Sequence, residues 1–306
     1  LAPYEAGDRR AIPLIDESIE ALKKVTLDGV KAYHRNFFGA GQGAVITLVG
    51  DFDSAAVEKV LAAEFGAWTA AQPHVRGDEA FRAAAPVTKK FDTPDKANAM
   101  FTAGVRIAVK EDDDAYPALA IANYVFGQGS ESRLYQRMRK KEGWSYGASA
   151  FLMVPTTGEG ARLMAQALVA PENLAKLDAA FREELARAVK DGFTAEEVAS
   201  AKRQWLQSRS QNRAQDMGLL GSLSSNEYWG RTLAWDAALE KKVDALTAGE
   251  VSAAFRQAVD PAKFSHDLAQ AINTVVLDPE LRARFGRNGR RRVEEHFSWT
   301  AIAERT

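Results

Sequence analysis

Apolar and polar residues alternate along one stretch of this chain. Every second position over residues 99–109 is apolar, and the positions between are mostly smaller or polar. A period of two predicts a half-buried β-strand. A second strand is predicted over residues 145–154, and the mainly apolar run at residues 44–49 predicts a buried strand.

Two helices are predicted on either side of the run at residues 44–49. Thr26 is the predicted N-cap of the first, which ends at Gly39, and Asp53 or Ser54 caps the second, which ends at Gly66. The apolar faces predicted for these helices consist of Leu27, Val30, Tyr33, Phe37, Val57, Val60, Leu61 and Phe65. Residues 70–87 lack any period and are interpreted as a linker.

Further helices are predicted over residues 116–126 and 171–192, and capping boxes begin two more at Thr194 and Thr247. Residues 127–130 lead into an arginine-rich helix that Gly143 terminates. Residues 246–260 repeat the pattern of residues 25–38, a Thr-capped helix with Val and aromatic residues at matching places. The first copy precedes an apolar run, whereas the second precedes a helical pattern, so the repeat breaks near Ser265.

Length, charge and composition restrict the functional class. The 306 residues suffice for two ordinary domains, and a net charge of −1 provides neither a basic footprint for nucleic acid nor a polybasic membrane anchor. The sequence contains no transmembrane-length apolar run. It also lacks a visible signal peptide and an initiator Met, so we expect an excised segment. Without cysteine, disulfides, thiolate zinc sites and a cysteine nucleophile are excluded.

Histidine is scarce. The four histidines are His34, His74, His266 and His296, and none has a second histidine or a glutamate at metal-ligand spacing. A zinc site would have to assemble from scattered residues, so we predict no metal site in this chain.

The most specific pattern is the run S-R-L-Y-Q-R-M-R-K-K-E-G-W-S-Y at residues 132–146, in which Arg139 and Tyr146 are seven residues apart. It resembles the segment of pitrilysin-type zinc metallopeptidases, the superfamily of insulin-degrading enzyme and mitochondrial processing peptidase, that carries such a pair. In these inverzincins the pair lies in the half without the metal, and the zinc half carries H-x-x-E-H on a helix. This chain has no H-x-x-E-H motif, so it resembles half of an active site.

The resemblance extends over residues 8–265 and includes the runs GDFD at 50–53, FGQGS at 126–130 and NRAQD at 212–216. It implies an α+β fold in which helices cover an antiparallel sheet, as in processing peptidases. Single-chain bacterial members have four homologous domains. Residues 1–85 are expected to be the end of the third, with further elements of that domain ahead of Leu1, and residues 87–265 are expected to be the fourth.

The resemblance implies substrate-binding and catalytic roles for Arg139 and Tyr146. Their guanidinium and phenol groups could donate hydrogen bonds to the substrate carbonyl and to the oxyanion that forms as zinc-activated water attacks. Local pattern alone leaves an alternative open, in which Arg139 belongs to a solvated basic face with Arg133 and Arg137, and Tyr146 lies in the core.

The tail at residues 266–306 has a different character. The run LDPELRARFG at 277–286, followed by Phe297-Ser298-Trp299, resembles the C-terminal helices of GT-B-type glycosyltransferases. The catalytic and phosphate-binding segments of that class would lie upstream and are missing from this sequence. We therefore interpret the tail as an appended helical segment, with an ordinary amphipathic tail as the alternative.

Other candidate sites have simpler interpretations. The glycines at residues 126–130 follow a helix and lack the third glycine of a dinucleotide loop, so a helix-to-helix turn is predicted. The acidic run at residues 111–114 lacks EF-hand spacing and is predicted to be a surface turn with Asp114 as N-cap. Ser130, Ser132 and Ser145 lack the context of a nucleophile, and Trp205, Trp229 and Trp235 are predicted to pack in the core.

These observations lead to one functional prediction. The chain is expected to be the non-zinc half of a zinc endopeptidase for short or unfolded peptides, with zinc held by a separate N-terminal half or subunit. The alternative is a catalytically inactive structural or peptide-binding module of the same family. A periplasmic location is implied by the resemblance alone, and neither nucleic acid nor a membrane is an expected partner.

Overall fold

The structure, a computed structural model, describes residues 11–83, apart from 12, 42, 78, 79 and 82, and residues 97–259. The elements of the first region are α1 (Ile15–Lys23), α2 (Leu27–Phe37) and α3 (Ser54–Phe65). Those of the second are β1 (Ala99–Ile107), α4 (Ala115–Gly127), α5 (Arg133–Tyr135), a π-helix (Gln136–Lys141), β2 (Ser145–Met153), β3 (Ala161–Val169), a 3₁₀ turn (Pro171–Asn173), α6 (Leu174–Asp191), α7 (Ala195–Arg213), α8 (Asp216–Tyr228), α9 (Leu233–Ala245) and α10 (Ala248–Ala258). The tail and the break near Ser265 lie outside the described residues, and the domain boundaries stay predictions.

The second region contains a three-stranded antiparallel sheet in the order β1-β3-β2. The two strands predicted from sequence, β1 and β2, both pair with β3, which was not predicted. The sequence of β3, A-R-L-M-A-Q-A-L-V, is rich in residues with high helix propensity, so its strand conformation depends on its two neighbours rather than on local preference.

Helices cover one face of this sheet. In α4, Ile121 and Ala122 are completely buried, and Gly127 approaches strand β2 so closely that a Cβ there would lie 2.3 Å from the Cβ of Ala150. The ring of Phe255 in α10 packs 5.5 Å from that of Phe126 in α4, between centroids. This arrangement confirms the predicted α+β fold.

The first region differs in its burial. Thr26 and Asp53 cap α2 and α3 as predicted, accepting hydrogen bonds from main-chain amides of the first turn at 2.9–3.1 Å. However, none of the residues of α1, α2 and α3 is buried. The prediction that α3 buries an apolar face is therefore wrong: Val60 is 59% exposed, because no described segment covers it.

The predicted buried strand at residues 44–49 is also wrong. These residues pair with no strand in the described part of the chain, and Ile46 and Leu48 are 52% and 41% exposed. A strand is completed by ladder hydrogen bonds to a neighbour, so an apolar run without a partner strand remains outside any sheet.

Residues 74–76 contact the end of α8. The Nε2 atom of His74 lies 3.1 Å from the hydroxyl of Tyr228, and Arg76 donates a hydrogen bond to the main-chain oxygen of Tyr228. The guanidinium of Arg76 also lies 4.7 Å from the ring centroid of Tyr228 and 5.2 Å from that of Trp229. Cation–π contacts and hydrogen bonds thus connect the first region to the second.

Candidate functional site

The run that carries Arg139 forms a π-helix. The predicted arginine-rich helix is α-helical only over Arg133–Tyr135, and Gln136–Lys141 continue as a π-helix. Leu134 and Met138, each 1% exposed, attach the segment to the core. π-Helical turns are rare and are frequently found at functional sites.

The end of this helix is formed as the sequence predicts. Gly143 has a φ of 68°, a left-handed conformation that favours glycine. The amide of Trp144 then donates to the carbonyl oxygen of Met138 at 3.0 Å. The chain thereby reverses directly into β2, which brings Arg139 next to the start of that strand.

The arginines of this run have different roles. Arg133 binds Glu197 at 2.7 Å and the carbonyl oxygen of Gly192 at 2.8 Å, and Arg137 contacts Glu142 at 2.9 Å. Burial alone would raise the pKa of Glu197, but hydrogen bonds from Arg133 and Thr194 outweigh it and hold that pKa below its usual value of 4.5. Arg133 and Arg137 therefore fasten the helix to its surroundings.

Arg139 instead contacts the beginning of β2. Its guanidinium donates a hydrogen bond to the main-chain oxygen of Tyr146 and lies 5.7 Å from the ring centroid of Tyr135. The phenol ring of Tyr146 is 74% exposed, so the alternative that places Tyr146 in the core is wrong. The structure thus brings both predicted site residues together on the surface.

A β-bulge presents Tyr146. Ser145 pairs with Val169 and Gly147 pairs with Leu168, so Tyr146 is an extra residue without a partner on β3. Bulges of this kind bend a strand and redirect a side chain, and they are common beside active sites.

The hydroxyl of Ser145 stabilises the bulge. It donates to the carbonyl oxygen of Leu168 at 2.7 Å and accepts from the amide of Gly147 at 3.1 Å. Ser145 is 6% exposed, which agrees with a structural residue rather than a nucleophile. Sequence reasoning missed this role, although a small hydroxyl residue directly before a bulge is a recognisable signal.

A cavity of about 470 Å³ adjoins the pair. Tyr135, the ring beside Arg139, and Gly147, the residue after Tyr146, both line it. Met100 of β1 and Leu168 of β3 line it from across the sheet. The site therefore consists of two exposed donors next to a concave surface.

The remaining candidates are structural in this fold. Residues 128–132 connect two helices, α4 and α5, as predicted. The acidic turn at residues 111–114 is held by Arg231, which binds Glu111 at 2.6 Å and Asp112 at 2.8 Å. Asp114 stands at the N-cap of α4 as predicted, but its side chain makes no capping hydrogen bond. Trp205 is buried, whereas Trp229 and Trp235 are only half-buried.

No group of three or more potential ligands lies close enough to hold a metal ion among the residues that the structure describes. Within that part of the chain, His34 stacks on Phe38 with ring centroids 5.3 Å apart, and His74 contacts Tyr228. The described residues therefore do not fit a zinc ion. His266 and His296 lie outside them.

Comparison with known proteins identifies the family. A family model described as the peptidase M16 inactive domain matches residues 24–205, more than half of the chain. The chain belongs to this family. Membership confirms the relationship predicted from the Arg–Tyr run.

Solved structures of an M16 inactive domain and of a protease share this fold. A peptidase M16 inactive domain from Pseudomonas fluorescens is 21% identical, with a TM-score of 0.66, over 79% of this chain and 56% of that one. A protease from Helicobacter pylori is 16% identical, with a TM-score of 0.63, over 78% and 57%. The chain therefore spans just over half the length of each.

A second, shorter likeness concerns a different class of protein. A stretch of 47 residues is 43% identical to alpha-maltose-1-phosphate synthase of Mycobacterium tuberculosis and covers 15% of this chain and 12% of that protein. This coverage is too small to show a family.

A helix that crosses a membrane has to be both long and apolar. No helix in residues 11–83 or 97–259 is both long and apolar enough to cross one.

Proposed function

We propose that this M16 inactive domain is the non-zinc half of a zinc-dependent endopeptidase, in which Arg139 and Tyr146 bind the substrate and stabilise the transition state. The observation that carries this proposal is the contact between the Arg139 guanidinium and the main chain of Tyr146, which places two exposed hydrogen-bond donors at one bulged strand end. Zinc and its ligands would come from the partner half, since the described residues offer no ligand set.

The two side chains have complementary chemistry. A guanidinium carries a permanent charge and several donors, so Arg139 can hold a substrate carbonyl or a developing oxyanion. The phenol of Tyr146 can donate one further hydrogen bond to the same group. Preorganised donors of this kind stabilise the negative charge that appears when a peptide carbonyl becomes tetrahedral.

The contacts that hold Arg139 support preorganisation. Its hydrogen bond to the main-chain oxygen of Tyr146 and its position over the Tyr135 ring leave other guanidinium N–H groups available for a ligand. Because the π-helix and the bulge are both anchored in the core, the main chain that carries the two side chains is already in place when a substrate binds.

A second candidate is a catalytically inactive module that binds peptides. The cavity of about 470 Å³ beside the pair favours it, because part of a peptide can bind there without being cleaved. As further parts of the main proposal, the substrates are short or unfolded peptides and the location is the periplasm, the latter on the family resemblance alone.

The test uses the chain together with a subunit or upstream half that carries H-x-x-E-H, and it follows cleavage of an internally quenched peptide. Arg139→Ala and Tyr146→Phe should each lower kcat by roughly 10²–10³-fold, the usual loss for one transition-state donor. Tyr146→Phe keeps the exposed ring, so its fold should be unchanged.

Lys140→Ala is the matched control, since Lys140 is an exposed cation on the same π-helix. It should retain parental kcat. Equal turnover in all three variants would contradict the catalytic role of the pair. A coding region without any H-x-x-E-H partner would favour the inactive peptide-binding module.

A further inference from the structure

We propose that the cavity beside Arg139 and Tyr146 is a subsite for one large apolar side chain of an extended peptide. This inference rests on the proposed function, because it assigns a substrate preference to the same site. The cavity volume of about 470 Å³ falls in the range of about 300–1,000 Å³ that is typical of ligand pockets.

The cavity lies on the face of the sheet opposite the helices. Met100, Leu168 and Gly147 form one row across the three strands, because Leu168 pairs with Met100 on one side and with Gly147 on the other. Directly paired residues of antiparallel strands point to the same face. Met100 and Leu168 are 63% and 37% exposed, so this face is open to a ligand.

The missing side chain of Gly147 creates the available space. Ala148 and Ala167 also line the cavity, but their buried side chains point to the helix-covered face, so they add no bulk on this one. A Cβ added to Gly147 would meet no atom within 4 Å. The cavity is therefore an open depression of the sheet surface, bordered by two larger apolar side chains, Met100 and Leu168.

The residues that line the cavity disfavour a charged side chain as its occupant. Among the described residues that line the cavity, none is ionised at neutral pH, and its polar side chains are those of Ser130, Tyr135, Ser149 and Gln166. A charged side chain there would lose contact with water and find no oppositely charged residue in the lining, whereas an apolar side chain gains from leaving water. An uncharged, apolar occupant is thus favoured.

The cavity and the donor pair share one scaffold. The ring of Tyr135 lines the cavity on one side and faces the Arg139 guanidinium at 5.7 Å. Gln136, the first residue of the π-helix, donates to the carbonyl oxygen of Ser130 at 2.6 Å and so holds the adjoining lining turn. A peptide bound to Arg139 and Tyr146 would therefore have a side chain directly at the cavity.

Titrations of the full chain with capped pentapeptides, acetyl-Gly-Gly-X-Gly-Gly-amide with X as Phe, Gly or Asp, test the subsite by NMR chemical shifts. We expect the Phe peptide to bind about tenfold more tightly than the Gly or Asp peptide. Gly147→Leu places a side chain in the cavity and should abolish this preference. Gly221→Leu is the control, because Gly221 is an exposed residue of α8 with free space around its Cβ position.

The subsite proposal would be overturned if the parental protein showed no preference for the Phe peptide. It would also be overturned if the Gly147→Leu variant kept that preference. If Gly147→Leu fails to fold, Met100→Glu serves instead, since Met100 is largely exposed and a carboxylate there should also remove the preference for Phe. These titrations need no zinc half. If Arg139→Ala and Tyr146→Phe kept full turnover while the parental protein still preferred the Phe peptide, the catalytic proposal would be refuted. The subsite proposal would be unaffected by that result.

Discussion

Helices α2 and α10 are alike in sequence pattern and different in environment. Each has eleven residues and begins after a threonine whose hydroxyl accepts a hydrogen bond from the third residue of the helix, Gly29 in α2 and Glu250 in α10. Val30 and Val251 hold equivalent positions, four residues after that threonine. Val251 is completely buried, whereas Val30 is 52% exposed.

The same difference separates the two regions as a whole. The second region encloses a continuous apolar core between its sheet and helices α4, α6, α7 and α10. The first region has regular helices but no buried helical residue. The helix ends are therefore determined locally by caps, whereas burial requires a partner surface, and most helical stability in proteins comes from such packing.

The largest effect should come from removing a core ring in α10. The ring of Phe255, 1% exposed, packs against Phe126 and Phe193 at 5.5 and 5.3 Å. Phe255→Ala should therefore lower the free energy of unfolding by about 3–5 kcal/mol in denaturant titrations. Phe37→Ala in α2 is the counterpart: it removes a ring that is 57% exposed and should change the free energy by about 0.5 kcal/mol or less. Equal losses would mean that α2 is buried in solution.

The same contrast explains which parts of the fold could be predicted from sequence. Caps at Thr26, Asp53, Thr194 and Thr247 all form as expected, because a cap depends on a few neighbouring residues. The strand β3 was missed, since its residues favour helix and only its two neighbours impose the strand. The predicted strand at residues 44–49 failed for the converse reason: its pattern is right, but it pairs with no described strand.

The features of the candidate site also fall into those that could be predicted from the sequence and those that could not. The spacing between Arg139 and Tyr146 and the helix end at Gly143 could be read from the sequence. The π-helix and the β-bulge could not, because each arises where helix and strand are fitted to the core around them. The role of Ser145 follows from that bulge and became visible only with it.

A smaller effect is expected from the two equivalent caps. Thr247→Ala and Thr26→Ala each remove a capping oxygen and should destabilise their own helix by about 1 kcal/mol. Because α10 is part of the core, Thr247→Ala should lower the midpoint of global unfolding, while Thr26→Ala should raise amide hydrogen exchange only within α2. Thr→Ser at both sites keeps the hydroxyl and should restore both readouts. A drop in the global midpoint with Thr26→Ala would show that α2 unfolds together with the core.

The smallest effect should come from acid titration of two carboxylates in the second region. Burial alone would raise the pKa of Glu240, but hydrogen bonds from Arg213 and Arg209 outweigh it, so the pKa is below the usual 4.5, as for Glu197. A lowered folded-state pKa stabilises the fold above the unfolded value, and this contribution is lost as pH falls through the folded pKa. Both carboxylates are partly exposed, which limits the effect through solvent screening.

The melting temperature should therefore be flat from pH 7 to about 5 and fall below pH 4.5 as protonation breaks these ion pairs. Glu240→Gln should lower the melting temperature at pH 7 and make the decline below pH 4.5 shallower, because one of the titrating groups is gone. Glu172→Gln, at an exposed position in the 3₁₀ turn, should leave the pH profile unchanged. If the melting temperature of Glu240→Gln declined with pH as steeply as that of the parental protein, the acid sensitivity would come from other groups. The ion pairs of Glu240 with Arg209 and Arg213 would then not contribute measurably to the stability of the second region.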